Sequence, residues 1–595
     1  MYFKFKRFFY PRRFFFLCFC YFFTPCFTQA PALSASSPAA TFDANTYTYF
    51  EIYPANVTVK KIKQLFFSLM NKEKAETEWK SLEDYFLEEI GINVLSTEYL
   101  AAAGFQLNEP IGIGMNYSVE RITSPAKNVN LKYHTTLTAI LPAAHPVKAY
   151  EFFKLVFKQR DNRQKRQYPA DPPARDQSSR LTVTEIEKDL FLKITDPGKN
   201  NDALYIFRAN HAIILSGNPE LARKYAAPSA NSLEKTTGFQ EARKFLENGK
   251  SGSDITGFFY INQKISAEET RINPRLLFDN IVMDNTYIKE LSANAEYISG
   301  AISIREQELK VAMNYAFQKD FFKNNRSFLA DSFNFKNQNF FPDNLAAPPM
   351  LFFKWQTNFS GDKKNLNQKN IINDQNIGAF ISRLSGGLVA VIPENIKSLF
   401  KENISLYVQD IPSLRDINNY YLWKGYLSMN YNPANFDKFK LLMNNLVSAS
   451  AKSKNVKIVF SNINNKLQWE FQITRYVKRY DKTSEQVVYD ENIIKMYVLA
   501  DSKQIVITHD PALAKKMPPS SSSPLSKKLY PENNASKQMI FTYVDAKKFL
   551  TYLSKSSPAL RETYLSYFEN VKSLFLLVNQ ENNLIREELV IRVEK

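Results

Sequence analysis

The chain has 595 residues, of which 44% are apolar, and this composition excludes a largely disordered protein. Its length leaves room for several domains of ordinary size. The formal net charge is +18, which favours anionic partners such as phospholipid headgroups, lipopolysaccharide, acidic glycans or nucleic acid. However, the basic residues are scattered and interleaved with acids. A plain solubility charge is therefore the stronger interpretation, and nucleic acid is disfavoured as a partner.

Residues 1–30 have the organisation of a signal peptide. Phe14–Phe23 is an unbroken apolar and aromatic run, well short of the ~20 residues that a membrane span requires. Thr28-Gln29-Ala30 then offers small residues for a cleavage site. A positively charged region precedes the run and contains Lys4, Lys6, Arg7, Arg12 and Arg13. We therefore expect export to the periplasm or the medium with cleavage after Ala30. A signal retained as a membrane anchor is the alternative.

All three cysteines, Cys18, Cys20 and Cys26, lie within or next to this apolar leader. The mature chain is therefore predicted to contain no disulfide, no thiol nucleophile and no cysteine-ligated metal. Phe23-Thr24-Pro25 precedes Cys26 where bacterial lipoproteins usually carry leucine and then small residues, which disfavours a lipid anchor at Cys26. Residues 31–41 follow as a spacer of mostly small residues.

The mature chain is predicted to hold two diverged copies of one unit, over residues 42–317 and 341–595, with a polar linker at 318–340. Each copy contains a strand, a turn with proline and an amphipathic helix. The two helices are predicted at Ala149–Val156 and Phe436–Leu442, from apolar residues at spacings of three and four. The same order of features in both halves indicates an internal duplication.

The most informative repeated feature is a β-hairpin that leads into a helix. Asn218-Pro219 follows the hairpin in the first copy, and Asp510-Pro511 follows it in the second. Asn and Asp can cap a helix by accepting backbone N–H groups, and proline fits the first helical position. Each copy then closes with a hairpin whose last strand covers Leu309–Phe317 or Leu589–Val593. We predict equivalent positions for these elements in the two copies.

The predicted fold class is α+β, with two tandem antiparallel sheets that carry helices on one face. The closing hairpins alternate between apolar and polar residues, which is typical of an antiparallel sheet with one buried face. Tight turns join the paired strands, and parallel strands cannot use such turns.

Four short segments resemble a group of exported bacterial proteins known as the domain of unknown function 3352 family. They are the leader, the opening Asp43–Ile52 strand, Leu95–Gly104 leading into Ile111-Gly112-Ile113-Gly114, and the hairpin before Asn218-Pro219. The resemblance covers most of the mature chain. It implies an exported location and a fold, and it supplies no active-site residues.

Motifs for catalysis, cofactors and metals are missing from the sequence. Gly249-Lys250-Ser251 lacks the upstream glycine of a phosphate loop, and no Gly-x-Ser-x-Gly nucleophile elbow occurs. The only histidines are His134, His145, His211 and His509, and no two of them have the spacing of a helical metal site. We therefore predict no cofactor, no metal and no catalytic residue, although carboxylate pairs distant in sequence stay open.

Two segments are candidate binding surfaces. A basic cluster is predicted to lie in a mobile surface loop over residues 160–180 and to contact an anionic partner, with a merely solvated insertion as the alternative. Its members are Arg160, Arg163, Lys165, Arg166, Arg175 and Arg180. Tyr421 and Trp423 form a candidate aromatic contact within an aromatic-rich segment. A half-buried strand is the simpler explanation of that segment.

The sequence favours an exported, non-catalytic binding or scaffolding protein of the bacterial cell envelope. Its partner would be an anionic envelope component or another envelope protein. Two alternatives stay open, a carrier of a lipid or other amphiphile and a metal-independent hydrolase that uses carboxylates. A polar cleft with clustered acids would favour the hydrolase, and a large apolar cavity would favour the carrier.

Overall fold

The computed structural model describes residues 37–594, apart from residues 54, 90–92, 94, 124–128, 168–181, 196–202, 248–254, 265–294, 306, 320, 322–348, 358–399, 411–423, 432–435, 464, 465, 482–485, 503, 516–537, 557–568 and 582. Internal contacts group the chain into two compact units that divide between Ala316 and Phe317. Unit 1 contains the described residues up to Ala316 together with Val593 and Glu594. Unit 2 contains the described residues from Phe317 to Arg592.

Unit 1 is built on an antiparallel sheet. Its described strands are β1 (Thr48–Ile52), β2 (Ile111–Thr123), β3 (Val129–Pro142), β4 (Thr182–Glu187), β5 (Phe191–Thr195), β6 (Ala203–Arg208), β7 (Ala212–Ser216), β8 (Ile255–Asn262), β9 (Tyr297–Arg305) and β10 (Glu308–Ala316). Its described α-helices are α1 (Ala55–Leu69), α2 (Lys72–Glu89), α3 (Thr97–Ala102), α4 (Pro146–Gln167), α5 (Pro219–Lys224) and α6 (Thr237–Glu247).

Unit 2 has the same kinds of element. Its described strands are β11 (Leu351–Thr357), β12 (Phe400–Asp410), β13 (Lys424–Tyr431), β14 (Val456–Ile463), β15 (Lys466–Asp481), β16 (Gln486–Ala500), β17 (Gln504–Thr508), β18 (Gln538–Asp545), β19 (Val571–Glu581) and β20 (Leu584–Val593). Its described α-helices are α7 (Phe436–Ser450), α8 (Pro511–Lys515) and α9 (Ala546–Ser556).

The two units share one order of strands. In unit 1 the neighbours run β10-β9-β8-β1-β2-β3-β7-β6-β5-β4. In unit 2 they run β20-β19-β18-β11-β12-β13-β17-β16-β15-β14. If β11 is treated as the first strand of unit 2, each of its strands has the same neighbours as the corresponding strand of unit 1. This is the arrangement that the predicted repeat requires, while descent from a duplication stays a prediction.

The two predicted helix starts occupy the same place in their units. α5 follows β7, and the Asn218 side chain accepts hydrogen bonds from the backbone of Glu220 and Leu221 at 2.8 and 3.1 Å. α8 follows β17, and Asp510 Oδ1 accepts from the Ala512 backbone N–H at 2.8 Å. Local capping chemistry therefore sets the start of both helices, as the sequence predicts.

Helices lie on both faces of the unit 1 sheet, and this differs from the predicted single face. On one face, α4 packs Tyr150 and Phe153 into a cluster that includes Leu192. α5 lies on the other face, where the Arg223 guanidinium stands 4.9 Å from the Phe191 ring. Phe191 and Leu192 are consecutive in β5, so their side chains point to opposite faces. Both faces of this sheet are apolar and each needs a cover.

Unit 2 also buries both faces of its sheet. Val498 belongs to one core cluster together with Phe439 of α7. The next residue, Leu499, belongs to a second cluster together with Ala514 of α8. The α+β class with antiparallel sheets is thus confirmed. No helix among the described residues has the length and apolar character needed to cross a membrane.

Candidate functional site

A deeply buried carboxylate lies in unit 1. Glu51 is in the middle of the sheet on β1, with only 2% of its surface exposed. Its Oε2 accepts hydrogen bonds from the Tyr49 hydroxyl at 2.7 Å and from the Ser37 hydroxyl at 3.0 Å. Tyr49 and Glu51 alternate with Phe50 along the strand and therefore share one face of the sheet. A charged carboxylate at such a position requires a charged partner.

The partner of Glu51 is Arg243 on α6. Its Nη2 forms an ion pair with Glu51 Oε2, and its Nη1 donates to the Tyr53 hydroxyl at 2.5 Å. The guanidinium also stands 4.5 Å from the Phe258 ring and 5.4 Å from the Phe239 ring. Phe239 and Arg243 are four residues apart, so one face of the helix presents both to the sheet.

Burial and charge hold Tyr49 and Arg243 each in one protonation state. The pKa of Tyr49 is raised well above its ordinary value, first by burial and then by the charge of Glu51. Burial acts against the charge of Arg243, but Glu51, Tyr53 and Tyr49 together outweigh it, and the pKa of Arg243 is raised. Tyr49 therefore stays a neutral donor, and Arg243 stays a cation. Three donors converge on Glu51 Oε2, which makes this cluster a closed structural ion pair rather than an acid or base that faces a substrate.

The ion pair also holds the segment Ser37–Phe42 against the sheet. Arg243 Nη2 lies 3.3 Å from the Ser37 hydroxyl. A Cβ placed on Gly112 would meet the Pro38 ring at 2.5 Å, and a Cβ on Gly114 would overlap the Phe42 ring. Gly112 and Gly114 thus leave space that Pro38 and Phe42 fill, and this space is here called the glycine seat. Residues 37–41, which the sequence analysis assigned to a spacer, are a packed part of unit 1.

The corresponding place in unit 2 is filled differently. Across β1, β2 and β3 of unit 1, Tyr49 pairs with Gly114, and Gly114 pairs in turn with Thr138. The matching row in unit 2 runs from Phe352 to Tyr407 and Tyr426. The rings of Tyr407 and Tyr426 stack at 5.3 Å with an angle of 12°. Two tyrosine rings occupy the positions of Gly114 and Thr138, so the seat for an added segment is a feature of unit 1.

His509 is a partly buried imidazole that the sequence analysis did not assign to any site. It directly follows β17, and its Nδ1 lies 3.2 Å from the Lys495 carbonyl oxygen. Burial lowers the pKa of His509 to about 4, against a smaller raising effect of that hydrogen bond. The imidazole is therefore neutral at pH 7 and contacts the backbone of unit 2.

We expect His509 to make unit 2 sensitive to acid. The folded state has the lower pKa, so the unfolded state binds the proton more tightly, and stability falls as the pH drops from about 6.5 towards 4. Relative to His509→Gln, the wild-type chain should lose at most about 3 kcal/mol over this range. Urea unfolding of both proteins at pH 7 and pH 4.5 measures the difference. Equal losses in the two proteins would show that the imidazole does not titrate differently on folding.

The longest hairpin of unit 2 extends beyond its neighbours. β15 and β16 have 16 and 15 residues and pair without a register shift from Leu467↔Ala500 to Asp481↔Gln486. β14 pairs with β15 only as far as Ile473, and β17 pairs with β16 only from Tyr497. Residues 474–481 and 486–493 therefore form a two-stranded ribbon, here called the arm. No strand in the described part of the chain pairs with either outer edge of it.

The arm presents apolar side chains to solvent. Tyr476, Tyr489 and Ile493 are 59%, 61% and 54% exposed, and Val487 is 45% exposed. The strand register places all four on one face. Tyr476 lies opposite Glu491, and Val487, Tyr489 and Ile493 are separated from Glu491 by an even number of positions along β16. The counterpart of this hairpin in unit 1 is β5–β6, with five and six residues. The arm is thus an addition to the shared strand order, and its exposed apolar face is the best candidate contact surface.

Part of the predicted basic cluster lies in a helix. α4 continues to Gln167, so Arg160, Arg163, Lys165 and Arg166 belong to a helix and not to the predicted loop. The helix persists because Arg163–Gln167 are good helix formers and no proline lies between Arg160 and Gln167. Arg175 and Arg180 lie outside the described residues, as do Tyr421 and Trp423. The binding roles of these residues stay predictions.

The sequence does not predict the arm, because its pattern of apolar residues fits a buried strand as well as an exposed one. Tyr476, Val487 and Tyr489 are typical of a buried strand, and only the partners of the strand decide burial. The signal that could have located it is length, since β15 and β16 are about three times as long as ordinary strands. Within the described residues, no group of three or more His, Cys, Asp or Glu side chains is placed to hold a metal ion.

Comparison with known proteins leaves the chain without an assigned family. No family model and no curated protein matches it. Solved structures of the treponemal protein TP0453 match in crystal forms III and IV, each with 10% sequence identity over 48% of this chain. The matches cover 80% and 81% of the TP0453 chain, with TM-scores of 0.23 and 0.22. Similarity at this level supports no conclusion about fold or function.

Proposed function

We propose that this chain is an exported, non-catalytic binding or scaffolding protein of the bacterial cell envelope, and that the arm is its contact surface. The observation that carries the proposal is the exposed apolar face of the arm, formed by Tyr476, Val487, Tyr489 and Ile493. Exposed tyrosines can bury a large area at a low cost in side-chain entropy. The leader at residues 1–30 supports export.

The polar clusters of unit 1 favour a binding protein over a hydrolase. The most buried carboxylate, Glu51, is engaged by Arg243, Tyr49 and Ser37. Asp43 likewise accepts from the Lys224 ammonium at 2.6 Å and from the Ser229 hydroxyl at 3.3 Å. A catalytic acid or base must reach a substrate proton, whereas these carboxylates serve internal contacts.

The test is cosedimentation of the chain from Pro31 to Lys595 with isolated bacterial envelopes. We expect the wild-type chain to bind and the Tyr476→Ser/Tyr489→Ser variant to bind about tenfold or more weakly, because two contact rings are lost. Leu441→Ser is the matched control, since Leu441 is 63% exposed on α7 of the same unit. Equal binding by all three proteins, or an equal loss in the control, would refute the arm as the contact surface.

A further inference from the structure

The outer edge of β15 is a second feature of the arm, and none of the strands that the structure describes pairs with it. The Thr474 backbone N–H donates to the Asn455 carbonyl at 2.8 Å, on the side where β14 lies. Backbone groups alternate in direction along a strand, so those of Tyr476, Lys478 and Tyr480 point outward on this same edge. The edge contains no proline and no bulge, two of the features by which proteins block strand addition, while a third such feature, a charged side chain, is present at Lys478.

We propose that two copies of the chain pair through this edge, with the two β15 strands antiparallel and related by a two-fold axis at Lys478. Antiparallel pairing of outward-facing residues allows Lys478 to lie opposite itself, and Tyr476 then lies opposite Tyr480 of the second copy. In this register, Arg475 is opposite Asp481, and symmetry makes that pairing twice. The dimer would therefore contain one repulsive Lys478–Lys478 pair and two attractive Arg475–Asp481 pairs.

The neighbouring symmetric registers are less favourable. A two-fold axis at Val477 would set Arg475 opposite Arg479, and an axis at Arg479 would set that residue opposite itself without an Arg475–Asp481 pair. β16 offers no comparable edge, because residues 486–493 contain two acids and no basic residue. No symmetric pairing of two β16 edges therefore brings opposite charges together.

Pairing of unlike edges is disfavoured by the space that it needs. If β15 of one copy paired antiparallel with β16 of the next, both arms would point in the same direction. The two chains would then be only about 10 Å apart, which is two strand spacings. That distance leaves no room for the sheet and helices of unit 2. In the two-fold arrangement, the arms point in opposite directions, so the rest of each unit 2 lies at opposite ends of the shared ribbon.

The experiment is sedimentation of the chain from Pro31 to Lys595 without envelopes, at concentrations up to about 100 μM, the range of moderate protein affinities. We expect a reversible dimer. Lys478→Pro should abolish it, because proline removes an outward N–H that the arm's own ladder does not use. Arg475→Asp should weaken the dimer about tenfold or more, and adding Asp481→Arg should restore it by exchanging the charges.

A single cysteine gives a second readout, because the chain from Pro31 contains none. Under oxidising conditions, Lys478→Cys should form a disulfide-linked dimer, since residues paired in this way have Cα atoms about 5.5 Å apart. Leu441→Cys, whose side chain is exposed on α7 of the same unit, should form the same reversible dimer without the disulfide link. A wild-type chain that is monomeric throughout, a Lys478→Pro variant that still dimerises, or equal crosslinking of both cysteine variants would overturn the proposal. Lys478→Pro leaves the tyrosines of the exposed face in place, so failure here is distinguishable from failure of envelope binding.

Discussion

Replacing Arg243 with Met is expected to lower the free energy of unfolding by about 3–5 kcal/mol, because the substitution leaves the Glu51 carboxylate buried without its cation. The side chain of Glu51 is 3% exposed and that of Arg243 is 16% exposed, so water cannot replace the lost partner. Denaturant unfolding followed by circular dichroism measures the loss. Adding Glu51→Gln in the same chain should recover most of it, since the amide removes the uncompensated charge and still accepts from Tyr49 and Ser37.

Arg223 provides the matched control for Arg243. It also forms an ion pair, with Glu187, and its guanidinium also stands against an aromatic ring, that of Phe191. Its side chain is 51% exposed, however, and that of Glu187 is 38% exposed. Arg223→Met should therefore cost no more than about 1 kcal/mol. Similar losses for Arg223→Met and Arg243→Met would contradict the account of a buried pair.

The second large effect is expected at the glycine seat of unit 1. Phe42 is fully buried against Gly114, Tyr49 and Tyr225, with ring centroids 5.3 and 4.9 Å from the two tyrosines. Phe42→Ala should cost about 3–5 kcal/mol, because it leaves a cavity in the core. Gly114→Ala should cost about 1–3 kcal/mol, because its Cβ would overlap the Phe42 ring.

The two substitutions should compensate each other in part. In the Phe42→Ala/Gly114→Ala chain, the new Cβ enters the space that the ring has left, so the combined loss should fall short of the sum by about 1 kcal/mol or more. Gly217→Ala is the control, since a Cβ there would meet only Thr136 Cγ2, at an ordinary 3.7 Å. Strict additivity, or a loss at Gly217 as large as that at Gly114, would show that Phe42 does not occupy the seat.

Local chemistry in the sequence predicts much of the fold. Asn218-Pro219 and Asp510-Pro511 specify helix starts through neighbouring backbone groups alone, and both helices begin there. The helices predicted at Ala149–Val156 and Phe436–Leu442 lie within α4 and α7 for a similar reason, since the spacing of their apolar residues is a local pattern. These features need no knowledge of distant partners.

The candidate sites depend on distant partners and were not predictable in the same way. Glu51 and Arg243 are 192 positions apart, and nothing near either residue indicates the other. Pro38 lies in a stretch of small residues typical of a linker, and it packs against the sheet because Gly112 has no side chain. The sequence around Tyr476 and Tyr489 is typical of a buried strand. Both side chains are nevertheless exposed, in a part of the hairpin that lies beyond the ends of β14 and β17.

The most direct test of the arm as a contact surface is hydrogen–deuterium exchange of the chain from Pro31 to Lys595, with and without bacterial envelopes. The measurement is best made on Lys478→Pro, which removes the proposed edge contact between copies. We expect backbone amides of residues 474–481 and 486–493 to exchange rapidly in the free protein, because no described strand pairs with the outer edges of the arm. They should become protected when envelopes are added. Protection confined to other segments, with exchange in the arm unchanged, would contradict the account.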